Sequence, residues 1–154
     1  MNFDATYNFV NFAFENIKDK AGMPYIGHCV IVADLAEKLA LKLGFGKRAA
    51  RKFYYVGLLH DVVEDTDITF EELQEKLNVP QDIMEGVEAM THYKGEPYED
   101  YMKRVSANKY ATLVKMADMA HNMQLDRYDP EKRTEKRVGE CLKYGEKLFN
   151  LIRM

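Results

Sequence analysis

Apolar residues recur at three- and four-residue spacing along most of the chain, and few stretches alternate at period two, so the pattern predicts helices and no sheet. Residues 4–18 place Tyr7, Phe9, Phe12, Ala13, Phe14 and Ile17 on a mostly apolar face, a run too long for a strand. Residues 20–25 read as a turn, because Gly22 and Pro24 both interrupt a helix. A second helix is expected from about Gly27 to Leu43, with a wide buried stripe and Gly44 just past its end. The third runs from about Lys47 to Val63. Thr69 and Glu72 have capping-box spacing and start a fourth. Pro80 suits the first turn of a fifth, and Pro97 opens another that lasts to about Ala107. Residues 109–125 form the next helix. Asp129-Pro130 caps the last, where Val138, Cys141, Leu142, Gly145, Leu148, Phe149 and Ile152 follow the 3-4 rhythm. The expectation is an all-α bundle of about eight helices forming a single domain over residues 1–154.

Composition narrows the class. The chain is 47% hydrophobic and 31% charged, the proportions of a globular protein long enough for a real core. A net charge of −3 argues against non-specific nucleic-acid binding. No apolar run reaches the roughly 20 residues of a membrane span, and Met1-Asn2-Phe3-Asp4 does not begin a leader peptide. Cys29 and Cys141, with no CxxC motif, read as reduced thiols and point to a cytoplasmic protein. A homo-oligomer is left open.

Chemistry concentrates in Leu58-Leu59-His60-Asp61-Val62-Val63-Glu64-Asp65-Thr66. An apolar run ends in a nitrogen donor beside an oxygen donor, followed by two more carboxylates. Three carboxylates within five residues repel one another, and a fold accommodates that mainly when a cation compensates them. His28 starts the second helix, and Asp118 interrupts an otherwise apolar helical stretch. His28, His60, Asp61 and Asp118 together make a mixed N/O set suited to a first-row ion such as Mn²⁺ or Fe²⁺. Singly, each has an ordinary structural reading.

The order His28, His60-Asp61, Asp118 resembles the HD superfamily of metal-dependent phosphohydrolases. The His60–Thr66 run is similar to the hydrolase domain of RelA/SpoT proteins and small alarmone hydrolases. Gly22–His28 and Lys115–Met123 resemble that family's flanking motifs. The resemblance implies an all-helical HD fold, one bound Mn²⁺, and removal of the 3′-pyrophosphate from guanosine tetra- or pentaphosphate. By position it makes His28, His60, Asp61 and Asp118 the metal ligands, and Glu64 and Asp65 the pair that activates water. Asn122 then contacts the nucleotide sugar, and Tyr25 borders the pocket.

Lys20, in the loop before His28, is the first choice among the cations available for phosphate. Lys94, Lys103, Arg104, Lys109, Lys115 and Arg127 are the others. His92 is expected at the pocket rim, and His121 in a supporting role. Two positions depart from the family pattern: Asp19 stands where an Arg that packs on guanine is usual, and Cys29 where Pro is usual. Asp cannot replace a planar cation that stacks on a base. Another nucleotide, such as NADPH or a nucleoside phosphate, is therefore the alternative substrate, and a non-catalytic nucleotide-binding HD module is the competing class.

Overall fold

The computed structural model describes residues 1–154, built entirely of helices apart from one isolated bridge between Lys18 and Pro24. The α-helices are α1 (Phe3–Ala13), α2 (Tyr25–Lys42), α3 (Lys47–Leu59), α4 (Val62–Asp65), α5 (Phe70–Leu77), α6 (Gln81–Met90), α7 (Tyr98–Ala107), α8 (Lys109–Asn122) and α9 (Glu135–Ile152). Two 3₁₀ turns lie between α8 and α9. The all-α expectation holds. The extra segment is α4, a single turn split from the predicted third helix.

Helices α2, α3 and α8 form the centre. Val32, Ala33 and Ala36 of α2 meet Phe53, Val56 and Leu59 of α3, all fully buried. The approach of α2 to α3 is closest at Gly57, where a Cβ would lie 2.7 Å from the Ala33 Cα. Backbone cannot yield to such a contact, so Gly57→Ala is expected to destabilise the fold by about 1–3 kcal/mol. Urea unfolding would show it as a lowered midpoint. This close approach brings the start of α2 beside the end of α3, where His28 and His60 lie.

Several boundaries differ from the sequence reading, each for a local reason. Helix α1 ends at Ala13, not residue 18, because Asn16 takes a left-handed conformation (φ 65°) that a helix cannot continue through. The chain then closes a short loop, with the Asp19 amide donating to the Met23 carbonyl and the Tyr25 amide to that of Ile17. Helix α3 stops at Leu59, where the His60 ring turns back to the Gly57 carbonyl at 2.6 Å. That carbonyl is one of the last four of the helix, which lack partners of their own. Asp129-Pro130 opens a 3₁₀ turn instead of α9, and Thr134 caps α9 by accepting from the Arg137 amide. Arg133 fixes the intervening bend through the Tyr128 and Asp126 carbonyls. The Thr69–Glu72 capping box forms as its spacing requires.

Candidate metal centre and active site

Four side chains converge from three places in the fold. His28 comes from the first turn of α2, His60 and Asp61 from the break between α3 and α4, and Asp118 from the last turns of α8. His28 Nε2 lies 3.2 Å from Asp118 Oδ1 and 3.6 Å from Asp61 Oδ2. His60 Nε2 lies 2.8 Å from Asp61 Oδ2 and 3.7 Å from Asp118 Oδ1. Donor atoms gathered about 2.1 Å from one ion would sit about 3.0–3.4 Å apart, and these separations bracket that range. His28, His60 and Asp61 form the tightest group, with one donor atom each within 4.8 Å of the others, and Asp118 adjoins it through its contacts to both histidines.

His60 supplies the sharper test. Its Nδ1 faces the Gly57 carbonyl, which can only accept, so Nδ1 carries the proton. In the neutral ring Nε2 then holds a lone pair. That atom is fully buried, aimed at two carboxylates, and makes no hydrogen bond despite its 2.8 Å distance from Asp61. A lone pair facing two anions is repulsive unless a proton or a metal ion lies between them. The charge balance says the same. Burial opposes charge on His60, yet Asp61 and Asp118 together push its pKa well up. Burial also disfavours the Asp61 and Asp118 anions. His60 and His28 hold Asp61 low, and Lys115 with the two histidines holds Asp118 low. The donor set therefore fits a divalent cation.

The acidic pair lies beside this centre. One oxygen each of Asp61, Glu64 and Asp65 falls within 4.8 Å of the others. Burial, followed by the charges of Asp61 and Glu64, raises Asp65 to about 6. Burial also raises Glu64. Glu64 is tied to a loop: its Oε1 accepts from the His92 amide at 2.6 Å. That loop is pinned by Arg104, which clasps Glu96 through two 2.7 Å bonds and donates to the Thr91 carbonyl at 2.8 Å. The Tyr25 hydroxyl donates to Asp61 at 2.7 Å and reaches Asp65 at 3.4 Å. Asn122 donates to Asp118 Oδ1 at 2.8 Å, and Lys115 to Asp118 Oδ2 at 3.1 Å.

These groups line one cavity of about 450 Å³. Lys20, Tyr25, Glu64, Asp65, His92 and Asn122, expected from sequence, all reach it. Of the cations, Lys20, Lys115 and Arg127 line it; Lys94, Lys103, Arg104 and Lys109 do not. Arg104 serves the loop, and Lys103 pairs with Glu99 and Asp100 on the surface. His121 stands closer to the centre than a packing group would, with Nδ1 2.7 Å from His28 Nδ1. Burial, His28 and Arg127 pull it down to about 4.

Sequence reasoning missed Tyr144 and Lys147, which reach the cavity from α9. Their three-residue spacing on a helix was the available signal, but the apolar rhythm of α9 marked it only as packing. Lys20 and Lys147 both lie over the Tyr144 ring, at 5.6 and 5.5 Å. Lys147 is depressed first by burial and then by Lys115, Lys143 and Lys20, with Asp118 opposing them.

The HD domain family model matches residues 25–123. The chain belongs to this family, and the match takes in all four converging residues. It is 34% identical over 143 residues to the guanosine-3′,5′-bis(diphosphate) 3′-pyrophosphohydrolase MESH1 of Xenopus tropicalis, covering 88% of this chain and 75% of that protein. It is also 34% identical over 123 residues to the probable guanosine-3′,5′-bis(diphosphate) 3′-pyrophosphohydrolase of Synechocystis, spanning 73% of this chain and 15% of that longer protein. Among solved structures, a metazoan SpoT ortholog described as hydrolysing ppGpp superposes with a TM-score of 0.72. That match covers 98% of this chain and 85% of the other at 23% identity, a likeness of fold.

Proposed function

We propose that this chain is a metal-dependent phosphohydrolase acting on a nucleotide, and that its reaction is removal of the 3′-pyrophosphate from guanosine 3′,5′-bis(diphosphate). The observation that carries the reading is the buried His60 Nε2, unpartnered and aimed with His28 Nε2 at Asp61 and Asp118. The kinship with named pyrophosphohydrolases supports the substrate class. His28, His60, Asp61 and Asp118 hold the ion; the mixed N/O set suits a first-row divalent ion, and the resemblance to alarmone hydrolases makes Mn²⁺ the first choice. When bound, the ion supplies Lewis acidity to a phosphoryl oxygen and lowers the pKa of water.

The remaining groups divide the work. Glu64 orients the attacking water and accepts its proton. Its Oε1 is held by the His92 amide, leaving Oε2 for the water. Asp65 supports Glu64, and Tyr25 fixes Asp61 and Asp65 relative to each other. Asn122 turns its amide nitrogen to Asp118, which leaves its amide oxygen to accept from a sugar hydroxyl. Lys20 and Lys147, which flank the Tyr144 ring, take the second phosphate group. Lysines and carboxylates line the same cavity, as a phosphorylated ligand bound partly through a cation requires. Asp19 lends no cation to a base, which favours a second reading in which the same chemistry serves another nucleotide, such as NADPH.

Phosphate and pyrophosphate release from a nucleotide panel with Mn²⁺ separates these readings. Release from guanosine tetraphosphate supports the first. Cleavage of another nucleotide with none of guanosine tetraphosphate selects the second. A metal-loaded protein that cleaves nothing would instead indicate a binding module.

Two further outcomes follow from the site. Glu64 and Asp65 act as anions, and burial is the leading cause that raises both above the ordinary carboxylate range, so kcat/KM should fall as the pH is lowered and they take up protons. A pH–rate profile that rises on acidification would contradict the assignment. Arg104→Gln should release the 91–96 loop and let Glu64 drift. A displacement of this kind costs up to about 10²-fold in rate, read as lowered kcat with KM little changed.

A further inference from the structure

We propose that the outer face of α9 binds a second copy of this chain, with the two α9 helices antiparallel across a two-fold axis. The proposal is independent of the reaction assigned above.

The starting point is a helix that is apolar on two sides. In the structure the 3-4 rhythm of α9 divides into two stripes. Cys141 and Leu151 are buried, and Tyr144 and Leu148 pack beside them against the core. Leu142, Phe149 and Ile152 turn outward and are 69, 58 and 61% exposed. With Val138 and Gly145 they fall at 138, 142, 145, 149 and 152, in alternating steps of four and three. That is the seam of a helix that meets another helix over two heptads. The outer side of a surface helix is ordinarily polar. A singly exposed side chain such as Phe12 needs no explanation, but three in register on one helix do. Met123, 40% exposed, lies against Gly145 and widens the patch.

The occupant follows from the order of residues along the seam. Turned end for end about a point between Lys143 and Tyr144, the seam matches itself. Leu142 then falls opposite the partner's Gly145, and Phe149 opposite the partner's Val138 and Gly139. Each large side chain meets a small one, and each pairing occurs twice. At Gly139 nothing lies within 4 Å of where a Cβ would stand, and at Gly145 only the flexible end of Met123 comes near. Glycine weakens a helix interior, and the approach of a second helix gives both positions a use.

Charge runs the same way. Glu135 occupies the next seam position at the start of α9, and Arg153 lies over the Phe149 ring at its end, 5.4 Å from the centroid. Both are exposed. Arg137 pairs with Glu140 within the helix, whereas the side chains of Glu135 and Arg153 take no ionic partner in their own chain. An acid at the start and a base at the end suit the dipole of any helix. In an antiparallel pair they also bring Arg153 to the partner's Glu135 at both ends, while a parallel pair would set like charges together. A two-fold interface requires this self-complementarity, and an unrelated partner does not. The pairing leaves the cavity open, because Tyr144 and Lys147, which line it, project from the other side of α9.

Sedimentation equilibrium of the full chain tests the proposal. Wild type should rise from the mass of one chain towards that of two as concentration increases, and one-chain mass throughout overturns it. Leu142→Glu and Phe149→Glu, at exposed positions, should keep the wild-type circular dichroism and sediment as monomers. A dimer that survives both changes uses another face and also overturns it. Glu135→Arg and Arg153→Glu should each weaken association about 2- to 30-fold, since each removes two exposed ion pairs. The double variant Glu135→Arg/Arg153→Glu should restore it. A folded double variant that associates no better than the single ones overturns the antiparallel pairing.

Discussion

Asp61→Asn is expected to abolish stoichiometric Mn²⁺ binding and to cut nucleotide hydrolysis on the order of 10³-fold or more. The substitution keeps the shape of the side chain and its capacity to accept from Tyr25, so the loss isolates the charge. Asp61 Oδ2 lies close to both histidines, 2.8 Å from His60 Nε2 and 3.6 Å from His28 Nε2. With the carboxylate gone, two imidazoles and one carboxylate remain, and that carboxylate is shared with Lys115. The rate loss corresponds to several kcal/mol of charge stabilisation that a bound ion supplies. Metal analysis of purified protein, run beside steady-state pyrophosphate release, reads both effects. Full metal content with full activity in this variant would remove Asp61 from the centre.

Glu64→Gln separates the base from the ligands. The amide can still accept from the His92 backbone, so the loop and the metal content should stay as they are. It cannot take a proton from water, and kcat should fall about 10²- to 10⁴-fold, the usual contribution of a general base. KM should change little, because the role proposed for Glu64 is with the attacking water and not with the leaving group. Asp65→Asn is expected to cost less, since Asp65 is placed as support. If the order of the two losses is reversed, the roles of Glu64 and Asp65 exchange while the metal centre stands.

The candidate ligands that the structure brings together were legible in the sequence because metal chemistry favours His and carboxylates. Their adjacency in His60-Asp61 and the isolation of Asp118 in an apolar helix are visible without coordinates. The break that presents His60 and Asp61 was not. No Gly or Pro marks it, and at the break the His60 ring takes the Gly57 carbonyl, a contact invisible to hydrophobic periodicity. The closeness of α2 and α3 likewise depends on Gly57 against Ala33, which reads in sequence as an ordinary glycine within a helix. The part of the cavity lining that α9 contributes was harder still. Lys147 and Tyr144 lie on α9, far along the chain from His28, and only the packing of α9 on α8 brings them to the site. Asp19 is the reverse case. Sequence marked it as a departure, and coordinates supply its partner, Arg127.

The most direct test of the central claim is pyrophosphate release from guanosine 3′,5′-bis(diphosphate) by metal-stripped protein, measured before and after one equivalent of Mn²⁺ is added. The account predicts no release from the stripped protein and rapid release once the ion is restored, with Asp61→Asn silent in both conditions. Equal release with and without the ion, or none from protein shown to hold Mn²⁺, would contradict it.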